Sequence, residues 1–195
     1  MRQSEVLDFY DEDVHAIRQL VTIMDGLGGD FWRQEPEGHF GPGEEFVHLV
    51  QSGRFACRFI REQLGLDPPT ELEPYFQRAA FNHAELTKLN LRGARTVRGQ
   101  HNRSCIAFID WLNDELQTIR GLIDGIPEDR YGDTVSHPLV HMVGPTGEVL
   151  ARMFARHWPY HLGQITEAMK SAGFREHVPF LLHFGRFEEV SVKEE

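Results

Sequence analysis

Apolar residues recur at three- and four-residue steps through four stretches of the chain, and each stretch runs into glycine or proline. That period is the signature of amphipathic helices. The first pattern runs from about Ser4 to Leu27, with Val6, Tyr10, Val14, Ile17, Leu20, Val21, Met24 and Leu27 in step, and Gly28-Gly29 ends it. A loop with Pro36, Gly38, Pro42 and Gly43 leads into the second. Glu44 and Glu45 sit in its first turn, where negative charge suits the helix dipole. Phe46, Val50, Gly53, Cys57, Ile60 and Leu64 make one face, Leu49, Phe55, Ala56 and Phe59 widen it, and Gly65 stops it. So broad an apolar surface predicts a helix that touches more than one neighbour.

The third pattern spans roughly Asn102 to Asp124, with a seam of Ile106, Ile109, Leu112, Leu116, Ile119 and Ile123 closed by Gly125 and Pro127. The fourth starts after Pro145, with Thr146 as its expected N-cap, and runs through Leu150, Met153, Phe154, Ile165 and Met169 to Gly173. Between the second and third lies a Pro-rich, then mixed, segment at about 66–99. FNHAELTKL in it fits a short helix and RGARTVRG reads as a loop, so the segment is expected to be an insertion. The resulting expectation is an all-α, four-helix bundle in one domain over residues 1–195, with that insertion and a tail at about 174–195.

Composition narrows the partners. With 195 residues the chain suits one hydrophobic core rather than two. A net charge of -10 argues against phosphate backbones and anionic lipid surfaces, so neither nucleic acid nor membrane is an expected partner. The opening MRQSEVLDFYDEDV has no signal-peptide apolar core, and no run approaches a bilayer span. Cys57 and Cys105 lie in helical patterns without paired spacing, which reads as buried thiols in a reducing, cytoplasmic setting.

The chemistry resides in the histidines. Eleven are present, so HxxxH spacing carries little weight alone: roughly 0.6 such pairs arise by chance in a chain of this composition. His137 and His141 occupy SHPLVHMVG, which has no helical period and reads as extended. Their rings would then lie about 13 Å apart at roughly 3.3 Å per residue, too far for one ion. His157 and His161, in ARHWPYHLGQI, instead fall on a helix, where four residues rise about 6 Å and both rings leave one face. That face is the apolar stripe Leu150, Met153, Phe154, His157, His161, Ile165 and Ala168. Inward imidazoles with unpaired nitrogens cost about 1–3 kcal/mol each, and a shared metal ion removes that cost. Two separately hydrogen-bonded core histidines are the alternative.

A third ligand must come from a facing helix, and His48 is the best placed, sharing a face with Ser52, Phe55 and Phe59. On its own it fits a satisfied polar residue better than a ligand. His15 lies among charged neighbours, and His39, His83, His101, His177 and His183 fall in loops, the insertion, a helix start or the tail, where solvation is expected. Pro159, between the paired histidines, lacks an amide hydrogen and predicts a kink. The kink either re-aims the rings onto an ion or carries His157 away from it. Trp158 and Tyr160 are expected to pack on the insertion or a partner chain, Gly163 to allow close helix approach, and Gln164 to bond a ligand ring.

RQEPEGHFGPGEEFVHL, with a first histidine behind a Pro-containing loop, and the run His157 to Ile165, HWPYHLGQI, together resemble the DinB/YfiT-like superfamily of metal-binding four-helix bundles. The likeness covers most of the chain outside 66–99 and the tail beyond Gly173. VSHPLVHMVGPTGEV, leading into the last helix, also fits the pattern. The resemblance implies a divalent ion, zinc or nickel, held by His48, His157 and His161. It further implies a transferase, isomerase or hydrolase acting on a small-molecule substrate, with a low-molecular-weight thiol such as bacillithiol or mycothiol as a possible co-substrate. Three imidazoles leave a coordination position open, as catalytic sites do. A non-catalytic, stress-associated metal-binding or sensing bundle is the alternative. No acid, base or nucleophile motif assigns a further catalytic role. Surplus apolar residues in the first helix and in VPFLLHFGRF, together with the habit of the family, suggest a homodimer.

Overall fold

The computed structural model describes residues 1–26, 31–68, 83–101, 103–137 and 142–171. These residues are mostly helical, with one small antiparallel sheet. Helix α1 is Gln3–Gly26, and Val6, Tyr10, Val14, Ile17, Leu20, Val21 and Met24 are all buried along it within the single chain. That burial removes one of the two sequence arguments for a dimer. The expected stop at Gly28-Gly29 lies outside the described residues.

Helix α2, Pro42–Gln63, lies against most of the other elements. Its start is set locally: Pro42 supplies a fixed φ at the first position, and the Glu44 carboxylate accepts from the Gly41 N–H at 2.7 Å. Its end is a left-handed cap. Gly65 has φ 69, the Leu66 N–H reaches the Arg61 carbonyl at 2.9 Å, and the Gly65 N–H reaches that of Glu62 at 3.0 Å. Between those ends α2 buries residues on several sides, as the width of its apolar pattern predicted.

The segment expected to end in a loop departs from the sequence reading. Helix α3, His83–Gln100, includes the whole of RGARTVRG. Gly93 and Gly99 argued against a helix at about 1 kcal/mol each, but tertiary contacts outweigh them. Ala94 is fully buried and Arg98 nearly so. Arg95 Nε bonds Glu44 Oε1 at 3.1 Å, and Arg98 pairs with both Glu35 and Glu44. Arg95 also donates to the carbonyls of Pro36 and His39. Thus α3 braces the loop before α2 and the first turn of α2 itself.

Helix α4, Cys105–Asp124, begins three residues later than expected, because Ser104 caps it by accepting from the Ala107 N–H at 3.1 Å. Its buried stripe is Phe108, Leu112, Leu116, Ile119 and Ile123. Ile106, placed in the seam from sequence, is 65% exposed, and Phe108 takes the inner position by stacking on Trp32. α4 packs on α1 and α2, and a two-pronged Arg54–Glu115 pair at 2.8–2.9 Å ties it to α2.

Strands β1 (Thr134–His137) and β2 (Met142–Pro145) pair antiparallel with Val135 opposite Gly144 and His137 opposite Met142. The extended reading of this stretch therefore holds for its described parts. His141 lies outside them. Helix α5, Thr146–Arg152, follows directly, and Pro145 rather than Thr146 occupies its N-cap position. Thr146 is buried instead, with its hydroxyl donating to the Asp133 carbonyl at 3.0 Å. A π-helical turn, Met153–His157, joins α5 to helix α6, Trp158–Ser171. The α6 helix packs on α2 and on α1. Among the described residues no helix is long and apolar enough to cross a membrane.

Candidate metal site

Three histidines converge where α6 meets α2. His48 stands in the second turn of α2, His157 closes the π turn, and His161 lies in the first turn of α6. Ring centroids are 4.6 Å apart for His48 and His161, 4.7 Å for His157 and His161, and 5.7 Å for His48 and His157. One nitrogen from each ring can be chosen so that all three lie within 4.8 Å of one another. His161 is buried and the other two are half-buried.

The π turn explains how Pro159 is accommodated. Proline offers no N–H to the carbonyl four residues back, and its ring collides with that carbonyl in a regular helix. Here the preceding turn is widened, with the Trp158 N–H bonded to the Met153 carbonyl five residues back. The deviation leaves His157 inside the cluster, so Pro159 does not carry it away from His48 and His161.

Burial favours the neutral form of two of these rings, His48 and His157. Burial, then the neighbouring His161 and His157, hold the His48 pKa well below the ordinary histidine value. Burial, then His161 and His137, push His157 down to about 3. A neutral imidazole is the ligand form. His157 Nε2 is buried and has no hydrogen-bond partner among the described residues, a defect of about 1–3 kcal/mol that an electron-pair acceptor would remove. The donor set therefore fits a metal ion: three clustered imidazoles at partly or fully buried positions, one of them with an orphaned ring nitrogen.

Two neighbours complete the site, and sequence reasoning missed both. Glu45 Oε2 lies 2.8 Å from His161 Nδ1, with both side chains buried. Phe40 stacks on His48 with centroids 5.0 Å apart. The sequence assigned Glu45 only to the helix dipole. Yet Glu45 precedes His48 by three residues and so shares its face, a signal that was available.

Other expectations need correction. Trp158, expected on the insertion or a partner, is fully buried in the core between Tyr10 of α1 and Phe154, over Gly53 of α2. Gln164 is exposed and bonds the Tyr160 hydroxyl at 3.3 Å rather than a ligand ring. Tyr160 is 64% exposed, edge-on to His161. His15 and His39 are exposed as expected, whereas His101 stacks on Trp111 at 4.9 Å. His137 is buried against Phe59, with burial pushing its pKa down to about 4. Cys57 is buried as expected, and Cys105 only partly so.

No family model matches this chain, and no curated protein or solved structure is detectably similar to it.

Proposed function

We propose that this protein is a metal-dependent enzyme of the DinB/YfiT-like type, in which His48, His157 and His161 hold one divalent ion. On this reading α1, α2, α4 and the α5–α6 rod are the members of a four-helix bundle, and α3 belongs to the segment inserted between its second and third helices. One observation carries the proposal. Imidazoles from two distant parts of the chain meet where a buried ring nitrogen otherwise goes unpaired among the described residues.

The ion, zinc or nickel by donor type, would supply Lewis acidity toward a small-molecule substrate, with hydrolysis and thiol transfer both within its chemistry. The chain's own residues do the rest. Phe40 stacks on His48, and Glu45 contacts Nδ1 of His161. The group contains three histidines and no carboxylate among the described residues, which favours an open, catalytic site over a closed, structural one. A fourth protein ligand found on the ion would support a non-catalytic metal-binding or sensing bundle instead.

The test is metal analysis of protein purified without chelators or affinity tags, alongside His157→Ala and His161→Ala. The parent is expected to retain a stoichiometric divalent ion and both variants to lose it, and equal content in all three rejects the site. A homodimer is likewise proposed, and a monomeric mass by light scattering at micromolar concentration rejects it.

A further inference from the structure

We propose that Glu45 is the positioning residue of this site, holding His161 with Nδ1 protonated so that Nε2 faces His48 and His157. This inference rests on the metal-site reading above. The geometry is direct: a carboxylate oxygen stands 2.8 Å from the ring nitrogen, and both groups are buried, so the contact is not diluted by solvent. An ionised carboxylate only accepts, so the nitrogen facing it must carry the hydrogen. The other ring nitrogen is left as the lone-pair donor, on the side of the ring away from Glu45. In metal centres such a carboxylate fixes the tautomer and strengthens the donor.

Glu45 is itself well held. It lies three residues before His48 on α2, so one helix supplies both a ligand and the group that orients a ligand from α6. Its neighbour Glu44 is locked by the Gly41 N–H and by Arg95, which fixes the turn from which Glu45 projects. Adjacent carboxylates thus serve different ends, one joined to the α3 brace and one to the imidazole.

The experiment uses protein labelled with nitrogen-15 at histidine, stripped of metal, in the parent, Glu45→Ala and Glu45→Gln forms. Long-range proton–nitrogen correlations read the tautomer of His161, and chelator competition reads zinc affinity. The parent is expected to show the Nδ1–H form. Glu45→Ala is expected to shift His161 toward Nε2–H and weaken zinc binding about 10- to 100-fold. Glu45→Gln keeps an acceptor oxygen and is expected to recover the Nδ1–H form and much of the affinity. If Glu45→Ala fails to fold, Glu45→Met fills similar volume without an acceptor and is read in its place. An alanine or methionine variant with the parental tautomer and parental zinc affinity overturns the proposal. Should the parent bind no zinc, the metal-site reading fails, while the tautomer of the stripped protein still tests what Glu45 does to His161.

Discussion

Gly53→Ala offers a sharp check on the packing beneath the site, because two known effects oppose each other there. In a helix interior, alanine is better than glycine by about 1 kcal/mol. At position 53, however, the new Cβ would stand 2.5 Å from Trp158 Cζ2 and 3.1 Å from Cε2, against the roughly 3.5–4.0 Å of an ordinary carbon contact. The indole must therefore retreat by about 1 Å. It has little room, being fully buried with Phe154 and Tyr10 at centroid distances of 5.1 and 5.7 Å. Overpacking of this kind costs about 1–3 kcal/mol, and a rigid ring puts this case at the upper end. The net is a loss of about 2 kcal/mol, or a Tm lower by about 4–8 °C for a chain of this size. Gly121→Ala is the control: it lies on exposed helix with nothing within 4 Å of the new methyl, so it should raise Tm by about 2–4 °C. Thermal unfolding by circular dichroism reads both. A Gly53→Ala protein as stable as the parent, or more so, refutes the assigned Trp158–α2 contact.

Zinc added to stripped protein at about 100 times its Kd should stabilise the fold by about 2.7 kcal/mol. Differential scanning fluorimetry should show a rise in Tm that His161→Ala abolishes, and an equal rise in that variant refutes the ligand assignment. The stripped protein should lose stability as pH falls. His157 titrates near 3 and His137 near 4 when folded, against 6.5 for an ordinary histidine, so the unfolded chain binds the extra protons in that window. Urea midpoints that do not decline between pH 6.5 and 4.5 count against the buried, neutral rings. Asp13 predicts the opposite slope. Burial lifts its carboxyl from 3.8 to about 9, so its contribution is lost as pH rises between those values, and Asp13→Asn should stabilise more at pH 8 than at pH 4. A pH-independent difference in urea midpoint refutes that shift. Arg98→Met leaves the fully buried Glu44 with weaker compensation and should cost about 3 kcal/mol, read by urea denaturation. A neutral result would remove α3 from its bracing role.

The long helices were legible in the sequence because their three- and four-residue periods are strong and their stops are chemically explicit. Gly65 and Pro42 sit where a helix must end or begin. The histidine trio was legible for a related reason, since imidazoles on an apolar stripe conflict with their surroundings unless something pairs with them. What the sequence concealed depends on contacts between distant segments. RGARTVRG becomes helical because Arg95 and Arg98 find Glu44, a partnership that no local window contains. Glu45 reads as a dipole-compensating acid until α6 brings His161 to it. Trp158 was expected on the insertion or a partner chain, but the glycine on α2 admits its ring to the core. Ile106 fitted the periodic seam, yet the Trp32–Phe108 stack selected a neighbouring register.

The widened turn at Met153–His157 has a geometric consequence beyond making room for proline. On a regular α-helix each four-residue step drifts by about 40° around the axis, so bulky groups at strict spacing of four wind away from any straight line. A wider turn drifts the other way and cancels part of that winding, which lets Leu150, Phe154, Trp158 and Leu162 all remain buried along the rod. His157 and His161 run beside them as a second row. Apolar ridge and imidazole row thus keep separate tracks along one continuous rod.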